Sequence, residues 1–288
     1  MPFARYYNPL ALVTILGQPI AFSNGEGLNM RIKIRRTMEP LPDQCSISVE
    51  GLDPVRSLAM GAVFRKITVA QPVTVQLGYD LFPTAAFTGF LETFRPNVPN
   101  GPALWTHATA GDAPALFENA RAPLPSTSSL TASDMIDIAA AVLGLAKAPS
   151  VAAVVAGASP IQQSPFTAVG VRLCTDLLDE ACRTLRCRWW VRDGMLRMSR
   201  FSVPEPGSLA IVIAGSGPGP VQPGVPLVSE PTFGGGGLIQ CSTFMDPGFV
   251  PGGQAVYFGS AFRVESVVHS LETRSLSPWT STVVGHML

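Results

Sequence analysis

Histidine, a common acid–base catalyst and metal ligand, occurs only three times in this sequence, at His107, His269 and His286. Each histidine stands alone, with no second candidate ligand or nucleophile at a known motif spacing. His269 alternates with Val267 and Leu271, which is typical of a half-buried strand. A structural role for these histidines is therefore favoured over a catalytic one.

Carboxylates are the next candidates for chemistry. Asp176, Asp179 and Glu180 fall on the polar face of a predicted helix, where solvation is the simpler interpretation. Glu265 and Glu272 lie on one late strand and could be proposed as a glycosidase pair, although the sequence brings no other acid to them. Neither a G-x-S-x-G nor an H-E-x-x-H motif occurs, so no catalytic residue is assigned.

The cysteines show no metal-binding spacing. They are odd in number and irregularly placed, without a C-x-x-C pair: Cys45, Cys174, Cys182, Cys187 and Cys241. Such a set predicts buried free thiols rather than a zinc or iron–sulfur site. No metal and no cofactor is predicted.

Four consecutive glycines raise the question of a phosphate-binding loop. The stretch "FGGGGLIQCSTFMDPGFVPG" runs from Phe233 to Gly252. A P-loop needs a lysine after its glycines and a helix to follow, whereas here "LIQCSTF" predicts a strand. The glycines are therefore expected to serve backbone freedom or close approach to another surface.

Charge is scarce and balanced. The formal net charge is zero and charged residues make up 14% of the chain. Either abundant Ala, Gly and Pro account for this, or much of the surface is buried against other subunits. A basic group, Arg31, Lys33, Arg35 and Arg36, alternates with apolar residues, which predicts the wet face of a strand rather than a nucleic-acid site.

The first region is predicted to be β. The apolar stretch Pro9–Phe22 is interrupted by Pro19, so a first strand is favoured over a signal peptide or membrane span, and the protein should be made in a cytoplasm without export. Further strands are predicted at Asn29–Thr37, Cys45–Leu52, Lys66–Tyr79 (one strand or two, bent at Pro72), Ala85–Phe94 and Ala103–Ala110.

The middle region is predicted to contain two helices. The segment Ser128–Ala146 has apolar residues at helical spacing, with a cap from Thr131 and Asp134 or from Ser133 alone. Lys147–Phe166 reads as a loop or linker.

A second helix should run from about Val171 to Leu185. Arg186–Phe201 then predicts a hairpin, because Asp193-Gly194 is a type I′ turn signal between two alternating runs.

The remaining residues return to β. Strands are predicted at Ser208–Gly215, Leu238–Phe244, Gln254–Phe258, Ala261–His269 and Trp279–Val284, after a loop at Ser216–Pro226. The expected fold is mainly β with an α/β insert: two small β-barrels flank a helix-plus-hairpin unit. The predicted domains are 1–125, 126–205 and 206–288, and the last strands of the first region could belong to the second barrel.

Taken in order, several segments resemble the hub proteins of bacteriophage baseplates and tails, and the hub part of type VI secretion spikes. "LNMRIKIRRTMEPLPDQCSISVEGL" and "VTVQLGYD…FTGFLETF" resemble the first barrel, "VRLCTDLLDEACRTLRCRWWVRDGMLRMS" the small α/β unit, and the C-terminal 60 residues or so the second barrel. The residues that carry the resemblance are Arg36, Thr37, Gly78, Tyr79, Gly89, Asp193, Gly194, Asp246, Pro247, Pro251, Gly252, His269 and Trp279.

The resemblance implies a structural rather than an enzymatic role. Hubs of this family are homotrimers whose six barrels join a hexameric tail tube to a spike or tip and enclose a channel. The implied partners are copies of the chain itself, a tube or distal tail protein, a spike protein, and the tape-measure protein and DNA that pass without specific binding. The alternatives are a tail-associated cell-wall hydrolase and a host-glycan-binding module presenting Trp189 or Trp190.

Overall fold

The structure is a computed structural model. It describes residues 9–23, 26–66, 70–79, 83–97, 105–112, 119–201, 203–205, 208, 210–214, 224–274 and 278–288. The chain is mainly β with an α/β insert, as the sequence predicts. No helix in these ranges is long and apolar enough to cross a membrane.

The first region forms one curled sheet of eight strands. Its elements are β1 (Pro9–Ile15), β2 (Gln18–Ser23), β3 (Glu26–Gly27), β4 (Asn29–Thr37), β5 (Gln44–Glu50), α1 (Pro54–Lys66), β6 (Pro72–Tyr79), β7 (Thr84–Arg95) and β8 (Trp105–Gly111). The order across the sheet is β4-β5-β8-β7-β6-β1-β2-β3. Only Leu28 separates β3 from β4, so the chain itself brings the two ends of the sheet together around an apolar core.

The insert packs helices against two small sheets. It comprises β9 (Arg121–Leu130), α2 (Ala132–Leu143), β10 (Ala146–Lys147), α3 (Pro149–Ala156), a 3₁₀ turn (Pro160–Gln163), β11 (Phe166–Leu173), α4 (Cys174–Leu185), β12 (Cys187–Arg192) and β13 (Met195–Arg200). β9 pairs with β11, and β13 lies between β10 and β12. The core of this unit starts near Ala120 and includes Met198.

The last region is a closed six-stranded barrel. Its strands are β14 (Ala210–Ala214), β15 (Val225–Phe233), β16 (Leu238–Phe244), β17 (Gln254–Tyr257), β18 (Ser260–Glu272) and β19 (Thr280–Met287). They are ordered β17-β14-β15-β16-β19-β18, and a further β17–β18 pairing closes the ring. The ring is closed through short pairings, since β14 pairs with β15 only at Val225 and Pro226.

Strand β18 joins the two β regions. One of its edges first pairs with β17, at Ser260 to Arg263, and then with β4, at Ser266 to Glu272. The result is a single 14-stranded sheet that runs through both regions. The pairing is antiparallel and sets Thr37 opposite Ser266 and Arg31 opposite Glu272.

One prediction was wrong where a helix forms, and one further helix was missed. Lys147–Phe166 is not a linker, because Pro149–Ala156 folds as α3; its Ala and Val residues are helix-compatible and bury Val151 and Val154. Helix α1 (Pro54–Lys66) was not predicted, and the strand predicted over Lys66–Tyr79 is observed as β6 from Pro72. Residues 67–69, 103, 104 and 215–223, on which parts of other predictions fall, lie outside the described residues.

Other elements match their predictions with shifted ends. Helix α2 begins at Ala132, and Thr131 and Asp134 form the predicted capping box. Helix α4 begins at Cys174 rather than near Val171, because the residues before it belong to β11.

Strand β15 was not among the predicted strands.

Candidate functional site: the junction of the barrels and the insert

Arg36 lies at the centre of a buried ionic cluster, contrary to the prediction that it faces solvent. Along β4 the alternation leaves Arg31, Lys33 and Arg35 exposed, and it places Arg36 on the same buried face as Ile32 and Ile34. The Arg36 side chain, about 4% exposed, has Nε 3.4 Å from Asp43 Oδ2. A guanidinium in such a place needs counter-charges.

Two further carboxylates complete the cluster. Arg36 Nη2 lies 3.5 Å from Asp193 Oδ1, at the tip of the insert hairpin. Buried Asp112 follows β8 and accepts two backbone N–H groups, from Asp43 at 2.8 Å and from Asp193 at 3.0 Å. The Thr37 N–H donates to Asp43 Oδ1 at 3.2 Å. The first β region thus binds the insert through one turn residue, Asp193, whose carboxylate pairs with Arg36 and whose backbone N–H donates to Asp112.

Burial dominates the electrostatics of this cluster. It raises the pKa of Asp112 to about 7, although the N–H groups of Asp43 and Asp193 act in the opposite direction. Burial, and then the Asp112 charge, raise the pKa of Asp43 well above its ordinary value, while Arg36 lowers it. Three carboxyl groups around one guanidinium therefore favour retention of a proton.

The hairpin tip has the backbone that its sequence predicts. Asp193 and Gly194 have φ values of 54° and 71°, the left-handed pair of a type I′ turn. Strands β12 and β13 pair through Arg192 and Met195 on either side of it. A rigid turn places the Asp193 N–H at Asp112.

A second ionic group ties the insert to the loop before β17. Arg192 Nη1 donates to the Pro251 carbonyl at 3.0 Å, and Nη2 lies 3.3 Å from Glu205 Oε2. Arg197 also contacts Glu205. Because burial is the main influence, the pKa of Arg192 is lowered.

Gly252 brings the same loop onto Trp190. Its φ is +83°, and a Cβ there would lie 2.7 Å from Trp190 Cζ2. The Gly252 carbonyl accepts from the Glu205 N–H at 2.7 Å, and its own N–H donates to Val264 at 2.8 Å. Only glycine combines this backbone with this close approach.

Glu265 links β18 to the insert. Its Oε1 lies 2.9 Å from Nη2 of buried Arg263 and 3.2 Å from Nη1 of Arg188. Arg263 also donates to the Arg200 carbonyl at 3.0 Å. The strand that joins the barrels is therefore also bonded to the hairpin of the insert.

His269 and Asp246 meet at Ser281. His269 Nδ1 lies 2.8 Å from Ser281 Oγ, and the Asp246 N–H donates to the same oxygen at 3.0 Å. Burial, followed by the charge of Arg36, lowers the pKa of His269 to about 3. The histidine is therefore neutral and holds a structural position. Pro247 follows Asp246, whose carboxylate accepts from the Gly248 N–H at 2.9 Å.

Trp279 reaches from the second barrel region into the first core. It packs with Phe22 and Tyr79, whose ring centroids are 6.5 and 6.0 Å away. Its Nε1 donates to the Glu272 carbonyl at 3.3 Å, and its own carbonyl accepts from Met245 at 2.8 Å.

Gly78 and Gly89 lie within the first sheet, away from the ionic clusters. Gly78 is buried on β6 opposite Leu10. A Cβ on Gly89 would meet the Gly111 carbonyl at 2.4 Å, so glycine permits the close β7–β8 contact. The structure thus brings Arg36, Thr37, Asp193, Gly194, Pro251 and Gly252 to the junction, and leaves these two glycines in the sheet.

The functional meaning of these residues stays a prediction. Asp43, Asp112, Arg192 and Glu205 were missed, because no sequence motif links them and the fold brings them together from separate loops and strands.

The acid pair suggested for a hydrolase does not converge. Glu265 and Glu272 are seven residues apart on β18, which is about 23 Å of extended strand, whereas glycosidase carboxyl groups lie about 5–9.5 Å apart. Glu272 instead pairs with Arg31 at 2.9 Å. Trp189 and Trp190, proposed for glycan binding, are both buried.

The cysteines are buried and free, as predicted. Within the ranges that the structure describes, no three His, Cys, Asp or Glu residues group in a way that could hold a metal ion.

Comparisons with known proteins reveal similarity in structure but none in sequence. No protein-family model and no curated protein matches the chain. The tail protein of Neisseria meningitidis MC58 superimposes with a TM-score of 0.57 at 11% identity, covering 97% of both chains. The 43 kDa tail protein of prophage MuSo2 from Shewanella oneidensis gives 0.55 at 12%, covering 96% of this chain and 95% of that one.

A secretion protein has the same fold. The E. coli c3393 protein, a type VI secretion component described as similar to the T4 bacteriophage tail proteins gp27 and gp5, gives a TM-score of 0.52 at 10% identity. The superposition covers 96% of this chain and 76% of the c3393 chain. The chain therefore has the fold of phage tail proteins, which confirms the resemblance at the level of fold.

Proposed function

We propose that this chain is the structural hub of a phage tail baseplate. Three copies form a ring of six barrels with pseudo-sixfold symmetry. The ring joins a hexameric tail tube to the central spike or tip and encloses the channel used in genome ejection. The fold shared with phage tail proteins along nearly the whole chain supports this role.

The observation that carries the proposal is the β4–β18 pairing. It makes the two barrel regions one 14-stranded sheet, so their relative position is fixed by backbone hydrogen bonds. The ionic junction around Arg36 and Arg192 adds the insert to the same rigid body. A chain with two rigidly joined barrels can meet two subunits of a sixfold tube with one copy.

The partners follow from this placement. A tube or distal tail protein lies above the ring, a spike protein lies below it, and the tape-measure protein and DNA pass through. A net charge of zero suits a conduit, because strong binding of DNA depends on an excess of cations. The protein then belongs to the virion tail, with divisions near residues 125 and 205 as proposed domain boundaries.

The first test is the mass of the purified protein by light scattering across a concentration series, combined with negative-stain images. We expect a trimer and a ring with six lobes. A monomer at every concentration would count against a self-assembling hub. A cell-wall hydrolysis assay on the same sample checks the enzymatic alternative, and activity that persists in Glu265→Gln and Glu272→Gln would direct attention to other acids.

A further inference from the structure

Helix α1 carries a second apolar face that nothing in the described chain covers. Its inner face buries Ser57, Met60 and Gly61. Its outer face repeats at i, i+3, i+4, i+7 and i+8 with Val55, Leu58, Ala59, Ala62 and Val63, of which Val55 is 74% exposed. A helix that is apolar on both sides is normally buried on both, so this stripe is suited to a partner.

A strained turn on the second barrel presents an exposed aromatic ring. Phe258 has a φ of 47° and Gly259 a φ of 78°, which is the turn that favours Asn-Gly or Asp-Gly. A bulky residue with positive φ is an outlier. Phe258 is nevertheless 62% exposed, with the Tyr257 ring against it at 4.7 Å.

Leu16 provides a comparison for the strained backbone of Phe258. Leu16 has the same left-handed backbone before Gly17 in the β1–β2 turn, but its side chain packs against the first core. Phe258 has no such place in the core of its own barrel. Among the described residues, the Tyr257 ring is the aromatic neighbour of Phe258, and no core packing accounts for its strained position, which suggests that a partner does.

Other exposed apolar residues lie at the same end of the barrel. Phe233, Met287 and Leu288 are exposed, and the Leu288 N–H donates to the Ala261 carbonyl at 3.0 Å, just past the Phe258 turn. A Cβ on Gly237 would contact Met287 at 3.6 Å. Gly237, the last of the four consecutive glycines, therefore lies beside this patch and adds no side chain to it.

Unpaired charges of opposite sign flank the two surfaces. Arg65 and Lys66 end α1. Glu230, on β15, is exposed, and its charge contributes, after burial and Cys241, to the raised pKa of Tyr257, the residue before Phe258. Among the described residues none of these three charges has an ion-pair partner.

We propose that the outer stripe of α1 in one copy packs on the Phe258 patch of the next copy. The proposal rests on the trimeric hub described above. Two different patches, one on each barrel, give the head-to-tail contact that a closed ring requires. Ala59 and Ala62 leave room at the centre of the stripe for the Phe258 ring, while Arg65 and Lys66 approach Glu230.

Phe258→Asn is the sharpest variant, because asparagine suits the left-handed turn. The barrel should keep its thermal midpoint or gain from relief of the strain, so misfolding would not explain a loss of assembly. Because the Phe258 ring anchors the proposed interface, its removal should raise the midpoint concentration of trimer dissociation at least about thirtyfold. Ala59→Arg should do the same from the other surface.

Ile161→Asn is the matched control. Ile161 is 85% exposed on the insert, outside both surfaces, so the trimer should be unchanged. Charge reversal tests the partner directly: Arg65→Glu and Glu230→Arg should each weaken the trimer, and the two together should recover part of the loss.

The possible results distinguish failure of this interface from failure of the proposed trimeric hub. A wild-type trimer that Phe258→Asn and Ala59→Arg both leave intact overturns the interface and leaves the hub standing, with the two patches assigned to another tail protein. A wild-type monomer at every concentration overturns both. Weakening by both variants with a neutral Ile161→Asn supports the interface.

Discussion

The backbone N–H of Asp193, at the tip of the insert hairpin, donates to buried Asp112 Oδ2 of the first barrel region at 3.0 Å. The same carboxylate accepts the Asp43 N–H at 2.8 Å through its other oxygen. One side chain thus holds two turns that are distant in sequence. Its chemistry should govern how firmly the insert is attached.

Asp112→Asn should weaken this attachment. An amide nitrogen cannot accept a hydrogen bond, so either the Asp43 or the Asp193 N–H would lose its acceptor inside the junction. At pH 5 we expect the free energy of unfolding to fall by about 1–3 kcal/mol, measured by urea denaturation. Asp137→Asn, which removes an exposed pair with Lys147, should change it by no more than about 0.5 kcal/mol. Equal effects would argue against a special role for Asp112.

The effect of Asp112→Asn should depend on pH. The pKa of Asp112 is raised from 3.8 to about 7, so the folded protein retains a proton that the unfolded chain releases. The stability associated with that proton is complete below pH 3.8 and is lost as the pH rises through about 7. The difference in unfolding free energy between wild type and Asp112→Asn should therefore shrink between pH 4 and pH 7.

His269 changes stability in the opposite direction with pH. Its pKa is lowered from 6.5 to about 3, so stability is lost as the pH falls from 6.5 toward 3. This contribution is present in wild type and in Asp112→Asn and cancels in their difference. A difference that stays flat from pH 4 to pH 7 would contradict the raised pKa of Asp112.

Sequence patterns predicted the features that depend on neighbouring residues. The Thr131–Asp134 capping box and the Asp193-Gly194 turn are local, so their residue types suffice. Helix α1 was missed because apolar residues on both of its faces cancel the periodicity that identifies an amphipathic helix. Its exposed face has meaning only if another surface covers it.

The junction could not be predicted from single segments. Arg36 looked solvated because it continues a basic run, but the strand alternation places it on the buried face, where Asp43, Asp112 and Asp193 surround it. These groups come from three loops that only the tertiary fold brings together. Sequence motifs marked Arg36 and Asp193 through a family resemblance, without showing that the two are in contact.

Gly252→Ala should disturb the contact between the second barrel and the insert. A Cβ would lie 2.7 Å from Trp190 Cζ2 on a backbone with a φ of +83°. Strain and overlap together should reduce the free energy of unfolding by about 2–4 kcal/mol. Gly144→Ala is the matched control, with a φ of +67° and nothing within 4 Å of the new atom; it should lose only about 1 kcal/mol. Similar losses of unfolding free energy in the two variants would show that the Trp190 ring moves to accommodate the added methyl group.

Trp279→Ala should weaken the contact between the two β regions more than it weakens the packing within either region. The ring is buried against Phe22 and Tyr79 of the first core, although the residue directly precedes β19 of the barrel. Removal of a buried tryptophan typically lowers stability by about 3–5 kcal/mol. Hydrogen exchange should increase first along the β4–β18 pairing, where Glu272 is opposite Arg31. Trp279→Phe keeps most of the apolar contact and should show a smaller change, and uniform exchange across the whole chain would instead indicate global destabilisation.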